Sequence, residues 1–259
     1  MEGILSRIGR LGIGFATALW SFARFFANAL HHCLTPPFYG KELLKQLAEI
    51  GFYSLPVVAL TSLFAGMVLA VQSYNGFGQF SAHGAVATVL AISIVRELGP
   101  VFAGLMVAGR IGATMAASIG TMRVSEQIDA LATLQTNPFK YIVAPRLSAA
   151  VLAMPFLVFI ANIVGIFGGF MVSTTSLGFN PYSFIKSVYD AISMHDLWVG
   201  VVKAAAFGAI ISSLGCYFGY NTKGGADGVG RATTSAVVVS SIFILIANYF
   251  ITSMFFEGL

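Results

Sequence analysis

Apolar residues run along this chain in long, uninterrupted stretches. No Asp, Glu, Lys or Arg occurs from Gly51 to Val95, and LPVVALTSLFAGMVLAVQSY predicts a first membrane span over residues 55–74. A Gly-rich turn, Asn75 to Gly84, follows it. The second apolar run, 86–119, carries Arg96, Glu97 and Arg110 and is too long for one upright crossing, so it must tilt or project beyond the bilayer. The third, 147–177, is charge-free and holds Pro155 and the Gly165, Gly168, Gly169 cluster. A polar connector from Gly178 to Asp196 leads to a fourth run, 197–220, with Lys203 inside it. The loop TKGGADGVGR then precedes a charge-free fifth run, 232–256.

The opening 35 residues are patterned differently. Arg10, Thr17, Ser21, Arg24, Asn28 and His31 recur at helical spacing, with Phe15, Leu19, Phe22, Phe26 and Leu30 on the opposite face. A polar stripe that includes Arg24 predicts an interfacial helix lying at the headgroups, ended by Pro36-Pro37. The pattern therefore predicts an all-α integral membrane protein. An N-terminal interfacial helix and linker occupy residues 1–50, and a transmembrane domain of five spans occupies 51–259.

Composition agrees. Hydrophobic residues make up 57% of the chain and charged ones 9%, against about 25% charged in soluble domains. The net charge of +4 suggests nucleic acid only until the charges are placed. With the N-terminus inside, the inner segments hold Arg7, Arg10, Arg24, Lys41, Lys45, Arg123, Lys140, Arg146, Lys223 and Arg231, and the outer loops hold only Lys186. The positive-inside rule thus places the N-terminus in the cytoplasm and the C-terminus outside. Cys33 and Cys216 are read as buried thiols, not a disulfide. No removable signal peptide is read at the start.

Several short matches fail as chemistry. In GGADGVGRAT, Gly225 and Gly230 fit a phosphate loop, but Arg231 and Ala232 replace its Lys and Ser/Thr, and the segment follows a span and not a strand. Any ATP and Mg chemistry must then come from a partner chain. Ser183 and Lys186 have Ser-Lys nucleophile spacing without the companion motifs. His31, His32, His83 and His195 show no metal-ligand spacing, so no metal site and no catalytic residue is predicted.

Three features remain. Gly104, Ala108, Gly112, Ala116 and Gly120 recur every four residues and predict close helix packing, inside the bundle or across a dimer. Arg96 and Glu97 are adjacent and deep in the second span, where an unpaired charge is expensive. Lys203 lies at a similar depth, which suggests that Glu97 pairs with Lys203 while Arg96 faces a polar cavity or a ligand phosphate; the equal alternative is a structural ion network that locks the bundle. Third, TMRVSEQIDALATLQTNPFKY, Thr121 to Tyr141, interrupts the apolar pattern. Ser125 is positioned to cap a short helix whose first turn carries Glu126 and Asp129, with Ile128, Leu131 and Leu134 on one side. Its acidic start suits anionic headgroups poorly and fits docking into a groove on a soluble protein.

RELGP (Arg96 to Pro100), AGRIGA (Ala108 to Ala113), SEQIDAL (Ser125 to Leu131), NPFKYIVAPR (Asn137 to Arg146) and GRATT (Gly230 to Thr234) together resemble the MlaE/YrbE family of ABC-transporter permeases, over roughly Gly51 to the C-terminus. The resemblance implies an elbow-type interfacial helix, five spans and a homodimer in the bacterial inner membrane. It implies cytosolic ATPase subunits below and a periplasmic MCE-domain protein above, with a small cytosolic STAS-domain protein as a further candidate partner. Phospholipid is the implied cargo, moved between the two membranes. Residues 124–137 correspond to the family's coupling helix, with Glu126 and Gln127 its signature pair and Arg123, Ser125 and Asp129 beside them. A central lipid cavity is expected to be lined by Phe64, Met67, Leu69, Val71, Tyr74 and Phe77, with the headgroup near Arg96. A stand-alone secondary transporter or channel is the alternative from another class; it would need midplane ion sites and preferably internal repeats, and the sequence contains no repeat.

Overall fold

A computed structural model of the chain describes residues 2–77 and 83–256, with the side chains of 2–12, Phe15, Phe77, His83 and Phe256 outside the description. The middle of the expected Asn75–Gly84 turn, and the expected roles of Arg7, Arg10, Phe15 and Phe77, therefore lie outside the described residues. The helices are α1 (Glu2–Leu34), α2 (Gly40–Ile50), α3 (Leu55–Phe77), α4 (His83–Ser93), α5 (Gly99–Val107), α6 (Ala113–Val124), α7 (Gln127–Thr133), α8 (Ala144–Thr175), α9 (Pro181–Ala191), α10 (Met194–Tyr220) and α11 (Gly225–Phe256). No strand occurs among the described residues.

Five helical stretches are long and apolar enough to cross a membrane: Gly40–Gly76, Gly84–Val124, Phe139–Thr175, Met194–Tyr220 and Gly225–Phe255. Each expected span falls on one of these; the third and fifth, 147–177 and 232–256, run two and one residues past the observed ends at Thr175 and Phe255, and elsewhere the helices overrun the bilayer-length estimates. The loop predicted after Tyr220 is short, because α11 already begins at Gly225. Its turn uses Gly224 and Gly225 at φ 90° and 66°, a region only glycine enters freely. The connector before the fourth span holds α9, and the linker before the first holds α2. Gln46 and Ile50 of α2 are buried, so the boundary drawn at residue 50 falls within one continuously packed unit.

The second span is one helical rod of α4, α5 and α6, joined by two wide π-helical turns at Ile94–Leu98 and Ala108–Gly112. At 41 residues it is ~60 Å long, longer than any bilayer is thick. Its small residues sit against α10 and α11. A methyl at Gly104 would meet Phe207 at 3.1 Å, and one at Gly120 would meet Thr222 Oγ1 at 2.9 Å. The partner helix answers in kind: methyls at Gly215 and Gly219 would meet the Gly112 and Ala116 carbonyls at 3.1 and 2.9 Å. Ala108 and Ala116 are fully buried. The stripe is thus a packing seam within the subunit, between α6 and α10, and not a dimer contact.

Helices α3 and α8 approach still more closely. A Cβ at Gly66 would fall on the Gly165 carbonyl, and one at Gly168 on the Leu63 carbonyl. Backbone, not a flexible side chain, is in the way, so the helices must part. Gly66→Val is expected to destabilise the bundle by about 1–3 kcal/mol or more, measured as a lower thermal transition in detergent. A neutral result would mean that α3 and α8 are not in contact at this point.

Helix α1 packs on one side through Phe25, Ala29 and half-buried Cys33. Phe25 meets the rings of Phe139, Tyr217 and Tyr220, and Phe22 meets Tyr217 and Phe243. Of the expected apolar face, Phe22 and Phe26 are half-buried beside the bundle, and Leu19 and Leu30 are exposed, together with Trp20 and Leu34. A helix with one face on the bundle and an apolar surface beside it suits the membrane interface. Both cysteines are free thiols, Cys33 half-buried and Cys216 buried, as expected.

Candidate functional site

Four charges meet where the first π turn crosses α10 and α11. Lys203 Nζ, whose side chain is 0% exposed, donates to Glu97 Oε1 at 2.8 Å and to the Arg96 carbonyl at 2.7 Å. Glu97 also accepts from Asn248 Nδ2 at 2.7 Å and from the Thr252 hydroxyl at 2.8 Å. Three donors from two helices therefore hold one carboxylate, which is what a charge inside a membrane requires.

Arg96 is engaged differently from the expectation. Its Nε lies 2.7 Å from Asp196 Oδ1, a side chain only 2% exposed, so a protein carboxylate stands where a ligand phosphate was expected. Asp196 is held in turn by the capping box at the start of α10, accepting from the Ser193 backbone N–H at 2.9 Å and its hydroxyl at 2.8 Å. Asp196 had been assigned to the connector; the Ser-x-x-Asp spacing of Ser193 and Asp196 was the signal for a helix start carrying a carboxylate inward. Asn248 and Thr252, neutral residues in an apolar run, carry no sequence signal that distinguishes them from ordinary span residues. The complete network holds two cations and two anions, so it adds no net charge to the membrane interior.

The residues expected to line one cavity divide between two faces of α3. Phe64 and Val71 are exposed, in line with Leu60 and Val68. Leu69 and Tyr74 instead pack into a second core cluster around Ala70, Leu90 and Phe179, with the Tyr74 and Phe179 rings 5.9 Å apart. Met67 is half-buried. Residues three and four apart share a helix face, so Phe64, Met67, Val71 and Tyr74 follow one flank of α3, with Tyr74 at its edge against Phe179, and Leu69 is the described residue that turns away from it.

The polar segment after α6 also departs from its reading. Ser125 does not cap α7: its hydroxyl donates back to the Thr121 carbonyl at 2.8 Å and closes α6. Glu126 is itself the N-cap, in the left-handed region at φ 58°, and Gln135 ends the helix at φ 59°. A non-glycine residue held there costs about 1–3 kcal/mol, and such positions concentrate at functional segments. The helix is therefore shorter than 124–137 and bracketed by two sharp reversals. Ile128 is buried in the bundle core and Leu131 packs against it, so they are not free to enter a partner's groove. What α7 exposes is Glu126, Gln127, Asp129, Ala130 and Leu134, the last beside a groove of about 290 Å³ shared with Met122, Tyr141 and Ile142.

Arg123 Nη1 bonds Asp129 Oδ1 at 2.7 Å across the join of α6 and α7. Both side chains are substantially exposed, so Asp129→Ala is expected to cost no more than about 1 kcal/mol. Thermal unfolding of the variant checks this, and a larger loss would mean that the pair holds α7 in place.

Long apolar spans, charges satisfied by one another within them and a polar helix held at one end define a multi-pass membrane permease. The chain belongs to the MlaE permease family, whose model, Permease MlaE, matches residues 43–254. It is 52% identical over 254 residues to a probable ABC transporter permease protein of Rickettsia felis, spanning 98% of each chain. A probable ABC transporter permease protein of Synechocystis is 39% identical over 227 residues, covering 88% of this chain and 86% of the relative. The intermembrane phospholipid transport system permease protein MlaE of Haemophilus influenzae is 34% identical over 215 residues, covering 83% of this chain and 82% of the relative.

Proposed function

We propose that this chain is the membrane subunit of an ATP-driven ABC transporter that moves phospholipids between the inner and outer membranes and so maintains outer-membrane lipid asymmetry. The observation that carries the coupling is α7: a short polar helix rooted in the core through Ile128 and Leu131, presenting Glu126, Gln127 and Leu134 outward. Movement imposed on such a helix passes directly to α6, whose small-residue seam grips α10 and α11. The Gly-rich segment beyond Tyr220 is helical from Gly225 and lacks the Lys and Ser/Thr of a phosphate loop, which supports nucleotide binding by a separate ATPase subunit.

The lysine and arginine bias supports an inner-membrane orientation with the N-terminus cytoplasmic and the C-terminus periplasmic. Arg123, Lys140, Lys223 and Arg231 then share the cytoplasmic end with α7. A second copy fits against α11, whose most apolar window is 11% buried and which exposes Val238, Ile242, Leu245 and Tyr249. Phe64 and Val71 would face the lipid cavity between the copies. A periplasmic MCE-domain protein above and a small cytosolic STAS-domain protein below complete the expected assembly.

The experiment is reconstitution of the chain with its ATPase and MCE partners in proteoliposomes, with fluorescent phospholipid as the reporter. Lipid movement that requires both ATP and the ATPase subunit is expected. Movement of a small solute by the chain alone would point instead to a secondary transporter or channel.

A further inference from the structure

Arg146, in the first turn of α8, is a buried cation. It is 8% exposed, and its Nη1 donates to the Ile142 carbonyl at 2.8 Å. A guanidinium carries five N–H donors, and a charge at this depth calls for an opposite one. Arg146 lines two cavities. One, of about 30 Å³, also has Gln46 and Glu49 of α2 on its walls. The other is the groove of about 290 Å³ beside α7, where Glu42 of α2 stands. Among the described residues neither glutamate is within ion-pair reach of Arg146, and Glu42 meets Lys45 instead, at a loose 4.0 Å. Glu42, Gln46 and Glu49 follow one another at helical spacing and share one face of α2. Gln46, between the two acids, is 5% exposed. The acids are ~10 Å apart along the helix axis, so one guanidinium cannot hold both at once.

We propose that Arg146 exchanges between these two carboxylates, and that the exchange is a two-position switch in the tilt of α2 against α8. The room on each side sets the two positions. Toward Glu49 the space is that of one or two waters, so a side-chain movement closes the pair. Toward Glu42 the groove is far larger, so the helix itself must swing. The mounting of α2 favours a swing about its far end. Arg110 Nη1, at the second π turn, binds the Glu49 carbonyl at 3.2 Å and Ser54 Oγ at 2.8 Å, which pins the C-terminal end. The N-terminal end is held more lightly. Lys140 binds the Pro36 carbonyl of the preceding linker, the Tyr39 ring meets Tyr141 at 5.2 Å, and Tyr39 makes no side-chain cap. Closing the groove would also cover Leu134, 74% exposed at its mouth. A solvent anion is disfavoured, because a glutamate already lines each cavity. Gln127, Ala130 and Leu134 of α7 line the same groove, so the swing of α2 and the position of α7 are tied together. The exchange belongs to this chain alone and needs neither ATP nor a partner.

The test combines a stability cycle with a distance, both on the full-length chain in nanodiscs. Glu42→Gln and Glu49→Gln should each lower the melting transition by no more than about 2 °C, because the remaining glutamate takes the cation. The double variant should lose about 6 °C or more, and adding Arg146→Met should restore most of it, since no charge is then left unpaired. If the double variant fails to accumulate, recovery of yield in the triple variant carries the same result. Spin labels on Lys41→Cys and Ala132→Cys, both exposed positions, report the swing in a Cys33→Ser, Cys216→Ala background. Glu49→Gln, which leaves only Glu42, should shorten their separation by about 5 Å relative to Glu42→Gln, the length of one helical turn. A single variant with the full loss would mean a fixed pair, and equal separations in the two variants would mean a static α2. Either result overturns the proposal. So do losses that merely add, a double variant as stable as the unmodified chain, or a triple variant that recovers nothing.

Discussion

Replacing Lys203 with methionine is expected to destabilise the fold more than any other single change considered for this chain. The ammonium is fully buried and holds both the Glu97 carboxylate and the Arg96 carbonyl. Removing it strands a carboxylate among apolar spans, with only Asn248 and Thr252 to hold it. Breaking one side of a fully buried ion pair costs about 3–5 kcal/mol; with the Glu97 side chain 36% exposed the loss should lie near the lower end, still a large part of the 5–15 kcal/mol that typically holds a protein together. In detergent the melting transition should fall by about 10 °C, with a matching drop in membrane yield. The double variant Glu97→Gln with Lys203→Met should recover most of that loss, since no buried charge is left unpaired. Exchanging the pair, Glu97→Lys with Lys203→Glu, should also be milder than either single change. Double variants no better than the singles would show that the two residues are not energetically linked.

The second large effect is expected at Glu126. Its carboxylate is exposed at the start of α7, where the helix dipole favours a negative group. Glu126→Lys reverses that charge on the surface proposed to meet the ATPase. Like charges brought together at an interface cost several kcal/mol, so ATP-dependent lipid movement should fall by about tenfold or more. The bundle should remain intact, because Ile128 and Leu131, not Glu126, root the helix. Glu126→Gly separates charge from backbone: glycine accepts φ 58° without strain, so this variant should fold at least as well while still losing transport. If Glu126→Gly transports normally, the carboxylate has no part in coupling.

How far the sequence foretold this structure depended on the physical cause of each feature. The five spans were legible because a long apolar run with few or no charges has one stable solution in a bilayer. Their ends were not, since helices α6, α8 and α11 continue past the hydrocarbon and nothing in composition marks that edge. Helices α2 and α9 mix charged and apolar residues over 11 positions each, too short for periodicity to stand out. The small-residue stripe announced close packing, but only the facing glycines at 215 and 219 fixed its partner as α10. Lys203 was found as the mate of Glu97 because both are charges at equal depth in separate spans. Asp196 was missed because it sits at a helix start, counted there as connector. The left-handed backbone at Glu126 and Gln135 could not be read from residues that rarely adopt it. Ile128 showed its helical face but not whether that face would meet its own bundle or another protein.

The central claim is that α7 transmits the work of an ATPase to the lipid-moving spans, and it is tested most directly by measuring ATP hydrolysis and phospholipid movement together. The assembled transporter in proteoliposomes would be assayed with the unmodified chain and with Glu126→Lys. The account predicts that the variant loses phospholipid movement while the ATPase either dissociates or hydrolyses ATP without it. A variant that assembles fully and moves phospholipid at the unmodified rate per ATP would contradict it.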